Sequence, residues 1–292
     1  MILIGYPIWQ GDLSSKDIID EVVKAEFNFI ELSLDYPWPL KDLDKLHELV
    51  NRAKDLNLKI GVHGPWRDVS LASPIDSIRR ASLEVYESVF EIAGKIDALY
   101  VNVHLISRQA FHISKNIEKD LVNAAMESVN RLVELSRDYG VDLIIENNAS
   151  GFGGCIEHLV PIINSFKEVK VCFDVPHAVS AYAKRSRGRE KINYLDLVSM
   201  WSEEFKDKLI LLHLHGYRIH HRTHIDDHLP LDVCEISIKD VLKRLRNTNL
   251  RYILLEIFYN EQGNRIRPLS LVNSVREVKS WARTLLLLGR RR

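Results

Sequence analysis

Residues 58–63 read LKIGVH, and the same shape returns five times: LYVNVH at 99–104, VDLIIE at 141–146, VKVCFD at 169–174, LILLH at 209–213 and YILLE at 252–256. Each is a short apolar run of strand length, closed by a side chain that can bind a metal: His63, His104, Glu146, Asp174, His213 and Glu256. Taken singly, a His at a strand end is usually a hydrogen-bonded structural residue, and an Asp or Glu is usually a cap on the next helix. Six in succession form a pattern. A closed barrel of parallel strands gathers its C-terminal strand ends at one face, where side chains from several strands aim at one point.

The intervening sequence supplies the helices such a barrel needs. ILIG opens as a strand, and Ser14 with Asp17 reads as a capping box for a helix carrying Ile18, Ile19, Val22 and Val23. FNFIELSL follows as a second strand and Leu40 to Asn57 as a helix. Ser73-Pro74 with Asp76 reads as a cap and first-turn proline for a long helix ending near Gly94. Ile117, Leu121, Ala125, Val129, Leu132 and Leu135 share one helical face, and Gly140 stops that helix before VDLIIE. Further helices are expected around Leu159–Phe166, Tyr194–Phe205, Ile238–Leu245 and Leu269–Leu287, giving eight strand–helix units, the number at which such a sheet closes. No linker or composition shift divides the chain, so residues 1–292 are expected to form one (β/α)8 barrel domain, with 288–292 a frayed basic tail.

Composition narrows the class without choosing a partner. Lys+Arg and Asp+Glu are 40 each, so net charge offers no argument for a nucleic-acid partner and none against a locally basic patch. Cys155, Cys172 and Cys234 are odd in number and widely spaced, which fits reduced thiols better than a disulfide framework. The start MILIGYPIW lacks the form of a signal peptide, and no apolar run approaches the roughly 20 residues that span a bilayer. A cytoplasmic protein that does not engage membranes is expected.

Two stretches sharpen the metal reading. In FDVPH, Asp174 and His177 lie three apart across a strand exit, so a carboxylate and an imidazole reach neighbouring positions over the barrel mouth. From His213 to His228 the sequence HLHGYRIHHRTHIDDH holds half of the chain's 12 histidines.

The ordered motifs HGPW, VH, IENN, DVPH, HLH, DDH and LE resemble the xylose-isomerase-like barrel superfamily, and within it most closely the endonuclease IV family of apurinic/apyrimidinic-site endonucleases, over about Lys59 to Phe258. That resemblance implies three zinc ions: one on His63 and His104, a second on Asp174, His213 and Glu256, a third on His177, Asp226 and His228, with Glu146 bridging the first two. It implies hydrolysis of a phosphodiester, with abasic DNA as the named substrate and DNA repair as the process. A clustered zinc centre suits that chemistry, because a bridging hydroxide is a nucleophile at neutral pH and the other ions neutralise phosphoryl oxygens.

Sugar isomerases and epimerases of the same superfamily need only Glu146, Asp174, His213 and Glu256 around one manganese, cobalt or magnesium ion. Glu146 and Glu256 would then act as the catalytic pair that moves a proton on a sugar or sugar phosphate. A metal-binding barrel without turnover is a third expectation. The departures from the endonuclease pattern matter here. The loop LDYPWPL after the second strand is short and carries Asp35 rather than arginine, LPLDV replaces a glycine-rich run, and HLHG puts His215 where asparagine is expected. Trp66 can stack on a base gap or on a sugar. His215, Arg218 and Arg222, between the expected ligands, are substrate-binding candidates, and the basic run KRSRGR at 184–189 would reach a phosphate if it shares the metal face.

Overall fold

The computed structural model describes residues 2–14, 17–38, 40–107, 115–221, 224–234 and 236–289. Eight strands close a parallel barrel: β1 (Leu3–Ile8), β2 (Phe29–Ser33), β3 (Lys59–His63), β4 (Tyr100–His104), β5 (Asp142–Glu146), β6 (Lys170–Asp174), β7 (Leu209–Leu214) and, beyond a hairpin of β8 (Gly216–His221) and β9 (His224–Leu229), β10 (Tyr252–Leu255). Each neighbour pairs in parallel, and β1 meets β10 to complete the ring. Around it run α1 (Ile18–Lys24), α2 (Leu43–Asp55), α3 (Asp76–Lys95), α4 (Lys115–Tyr139), α5 (Ile156–Ile163), α6 (Val175–Arg185), α7 (Tyr194–Glu204), α8 (Ile238–Arg244) and α9 (Val272–Gly289). The expected barrel is the observed one.

Period-two alternation within the strands sets the two cores. Outward residues such as Val62, Val101, Val103, Ile145 and Phe173 join the helices in one large buried cluster. Phe29, Tyr100, Ile144, Cys172, Leu211 and Leu254 belong to a second, smaller cluster. Two residues further along those strands stand Glu31, Asn102, Glu146, Asp174, His213 and Glu256. The apolar inner layer is therefore the floor of a polar layer in the same phase.

Glycine makes room for that floor. A Cβ on Gly61 would stand 2.5 Å from the Tyr100 ring and 2.7 Å from its hydroxyl, and one on Gly5 would stand 2.2 Å from the ring of Phe29. Gly61→Ala is expected to cost about 1–3 kcal/mol of stability through overpacking and to push Tyr100 off its hydrogen bond to Glu31. Denaturant titration checks this; an unchanged midpoint would show that the ring has slack.

Local expectations fared unevenly at helix starts. Asp17, not Ser14, occupies the N-cap position of α1, and its side chain makes no capping hydrogen bond. Pro74 lies before the Ile75 N-cap of α3 rather than in its first turn, while Ser73 Oγ accepts the Ile75 N–H at 3.2 Å. Gly140, at φ +67°, terminates α4 as its left-handed residue. α9 absorbs residues 288 and 289 of the expected frayed tail, and 290–292 lie outside the described residues, as does Arg222. The three cysteines are free thiols. No helix among the described residues is long and apolar enough to cross a membrane.

Candidate metal centre

Glu146, at the end of β5, is fully buried, and its two oxygens face different imidazoles. Oε2 lies 3.5 Å from His63 Nε2 and 3.7 Å from His104 Nε2, while Oε1 lies 3.2 Å from His213 Nδ1 and 3.5 Å from His177 Nδ1. His213 Nδ1 is also 3.1 Å from Glu256 Oε2. Among the described residues, donor atoms converge within 4.8 Å in the sets His63–His104–Glu146, Glu146–Asp174–His213–Glu256, Glu146–Cys172–His213 and His177–His215–His228.

The donor set fits divalent metal by a direct sign. Glu146 Oε1, His213 Nδ1 and Glu256 Oε2 are buried without a hydrogen-bond partner, although they stand 3.1–3.2 Å apart. They are close but not aligned for proton sharing. Buried polar atoms left in this state carry a desolvation penalty that a cation between them removes.

Supporting groups hold the donors in place. Asn102 Nδ2 donates to Glu146 Oε2. Asn147 clasps the Asp174 backbone, donating to its carbonyl at 2.9 Å and accepting its N–H at 2.8 Å. Asp174 is at once a cap and a site residue: it accepts the His177 N–H at 2.7 Å as the N-cap of α6, while its other oxygen meets His215 Nε2 at 2.9 Å. His215 Nδ1 accepts the His228 N–H at 2.8 Å. With both nitrogens engaged, His215 is a positioning group for Asp174. Glu31, which the sequence reading passed over, accepts from the Tyr100 hydroxyl at 2.7 Å and stands 3.6 Å behind His213 Nε2.

Asp226 stands apart from this gathering. It lies on β9 with its carboxylate 46% exposed, 2.5 Å from His220 Nε2. Strand alternation would put Asp226 and His228 on one face, but His228 has φ +55°, which swings it away from the strand's phase. The residue that accompanies His228 is Asp227, 3.7 Å from its Nε2 and part of the pocket lining. Arg218 also faces outward, paired with Glu261.

The strand ends open into a cavity of about 1630 Å³. Trp9, Trp66 and Arg67 form one side; the Arg67 guanidinium lies 4.7 Å over the Trp9 ring and 4.4 Å over that of Trp66. Asp35 holds this wall, accepting the Trp66 N–H at 3.0 Å and pairing with Arg67. Asp35, which departs from the endonuclease pattern in the second-strand loop, is thus committed to an arginine. Lys184, Arg185 and Arg187, from the basic run, line the same cavity.

Electrostatics without metal follow from the carboxylates. Burial pulls the His63 imidazole down, but the hydrogen bond and charge of Glu146 outweigh it and hold it at about 9. His177 is likewise opposed by burial and held at about 10 by Asp174 and Glu146. Burial wins at His104, down to about 4. At pH 7 the metal-free chain therefore keeps protons on His63 and His177. Ligation needs neutral imidazole, so zinc binding is expected to release protons and to tighten as pH rises toward 9. Calorimetric titration in buffers of different ionisation enthalpy reads this; heats independent of buffer would contradict it.

Comparison with known proteins bears on the family and the fold. The Xylose isomerase-like TIM barrel family model matches residues 19–284. The chain belongs to that family. An uncharacterized protein of Methanocaldococcus jannaschii is 23% identical over 231 residues, 78% of this chain and 81% of that one. A probable endonuclease 4 from Natranaerobius thermophilus is 32% identical over 159 residues, 51% of this chain and 53% of the endonuclease. The match thus spans about half of the endonuclease. The crystal structure of a D-tagatose 3-epimerase-like protein superposes with TM-score 0.73 over 97% of this chain and 98% of that one, at 19% identity, a likeness of fold alone. Members of this family with either kind of name share the barrel, so the reaction must be argued from the site.

Proposed function

We propose that this barrel is a metal-dependent hydrolase of phosphate esters, with a phosphodiester such as that at an abasic site in DNA as the substrate to test first. The observation that carries the reading is the division of Glu146: one oxygen serves His63 and His104, the other His213 and His177. A carboxylate shared between two donor sets suits a multinuclear centre, whereas a one-metal isomerase would leave His63 and His104 surplus. His63 and His104 would hold one ion, Asp174, His213 and Glu256 a second, and His177 and His228 with Asp227 a third, zinc being the ion this donor set favours. Bound there, divalent ions supply an activated water and a counter-charge for phosphoryl oxygens.

The chain's own residues divide the remaining work. Lys184, Arg185 and Arg187 offer positive charge at the cavity wall to draw in and orient a phosphate. Trp66, braced by Arg67, offers a flat face for a sugar or an unstacked base. Asp174 keeps its donor oxygens fixed through the His177 N–H and His215.

A second reading has its own support. Glu146, Asp174, His213 and Glu256 form a four-ligand set in which the Glu146 and Glu256 carboxylates both stand within 3.2 Å of His213 Nδ1, and a one-metal sugar or sugar-phosphate epimerase would need no more than these four. Metal content separates the readings. Elemental analysis of protein purified without added metal or chelator is expected to find more than one zinc per chain, with cleavage of abasic DNA or a model phosphodiester. One manganese, cobalt or magnesium per chain, with turnover on a sugar panel and none on phosphodiesters, would replace hydrolysis with epimerisation. Bound metal with neither activity would leave a binding protein.

A further inference from the structure

Of the six histidines between His213 and His228, the metal centre uses His213, His215 and His228. The others lie on the β8–β9 hairpin, which stands outside the barrel as a two-stranded antiparallel sheet. Its register pairs Arg218 with Asp226 and His221 with His224. Alternation from Asp226 places His224, two residues earlier, on the same face, and His220 reaches that face from the opposing strand. We propose that His220, His224 and Asp226 form a second, solvent-facing zinc site on the outer face of this hairpin.

The two imidazoles gather on one carboxylate, and the exposed rings must still close to bring the three ligand atoms to a common point. Asp226 presents one oxygen to each imidazole: Oδ2 is 2.5 Å from His220 Nε2 and Oδ1 is 3.4 Å from His224 Nε2, with the rings 5.7 Å apart. Two imidazoles and a carboxylate are a borderline-soft set that suits zinc, leaving water in the fourth position. The side chains are 39%, 69% and 46% exposed, so an ion enters without opening the fold and the rings have room to close on it. What the ion displaces is weak, since exposed ion pairs contribute little. Arg218, the nearest cation by register, is neutralised by Glu261. An ion there would tie β8 to β9. The hairpin also carries Asp227 and His228 into the cavity, so the outer site would stiffen the strand that delivers them.

The test uses the full-length chain, zinc alone, and competition against a chromophoric chelator. The His220→Ala/His224→Ala double variant is expected to bind one zinc equivalent fewer than the parent. Its cobalt absorption spectrum from the buried centre should be unchanged. Asp226→Asn should lose that same equivalent. A double variant that binds as many zinc ions as the parent, with the same affinities, would overturn the proposal. So would loss in Asp226→Asn of an equivalent that the double variant retains, because Asp226 would then belong to the cavity. Neither outcome depends on which reaction the barrel performs.

Discussion

Glu146→Gln is expected to abolish activity, by on the order of 10³-fold or more, and to lower metal content at both donor sets together. Glutamine keeps the size of the side chain and can still accept at one oxygen, so the variant separates charge from shape. The lost charge matters because Glu146 is fully buried and each oxygen serves a different set of imidazoles. Asn102, which donates to Oε2, would meet either an amide oxygen or an amide nitrogen, and the second choice leaves two donors opposed. The fold should survive. Without the carboxylate, His63 loses the partner that holds its pKa at about 9 against burial, and it settles neutral rather than as an unpaired buried cation. Circular dichroism and metal-free melting should therefore resemble the parent, while chelator competition shows weakened zinc. A variant that keeps full metal content and most of its turnover would show that Glu146 bridges nothing.

The sequence made the strand ends legible because an apolar run with a polar terminus is a strong signal, and the barrel converts sequence repetition into spatial convergence. His63, His104, Glu146, Asp174, His213 and Glu256 all lie at that end, lining the cavity or buried beneath it. Residues inside a run were harder to see. Glu31 in FIELS and Asn102 in YVNVH interrupt apolar stretches and read as blemishes, yet each sits two residues past an inner-core aromatic, Phe29 or Tyr100. Counting in twos from those aromatics would have found both.

Asp226 and Asp227 mark a different limit. A motif written D-x-H assumes that alternate residues share a face, which holds along a regular strand. The left-handed backbone at His228 breaks that phase, and no local sequence signal announces a positive φ at a histidine. Asp35 marks a third limit. Its partners, the Trp66 amide and Arg67, are 31 and 32 residues away and are brought to it by the parallel pairing of β2 with β3.

His63→Ala divides the two readings most sharply. If Glu146 joins two donor sets, removing His63 leaves His104 and one carboxylate oxygen as the remnant of the first set, too few for a structural or catalytic zinc site, which holds at least three protein ligands. Phosphodiesterase activity is expected to fall by about 10²–10³-fold, the scale seen when a single electrostatic stabiliser is removed. The set of Asp174, His213 and Glu256 should keep its ion, so metal content drops by about one equivalent rather than to zero. His63 touches that second set only through Glu146 and a ring stacked 6.2 Å from His213. An epimerase would behave otherwise: its single ion sits on the four-ligand set, and His63→Ala would leave metal content intact and lower sugar turnover modestly. Measuring zinc per chain and both activities on one preparation reads all three quantities, and a variant with unchanged metal and unchanged phosphodiester cleavage would remove His63 from the centre altogether.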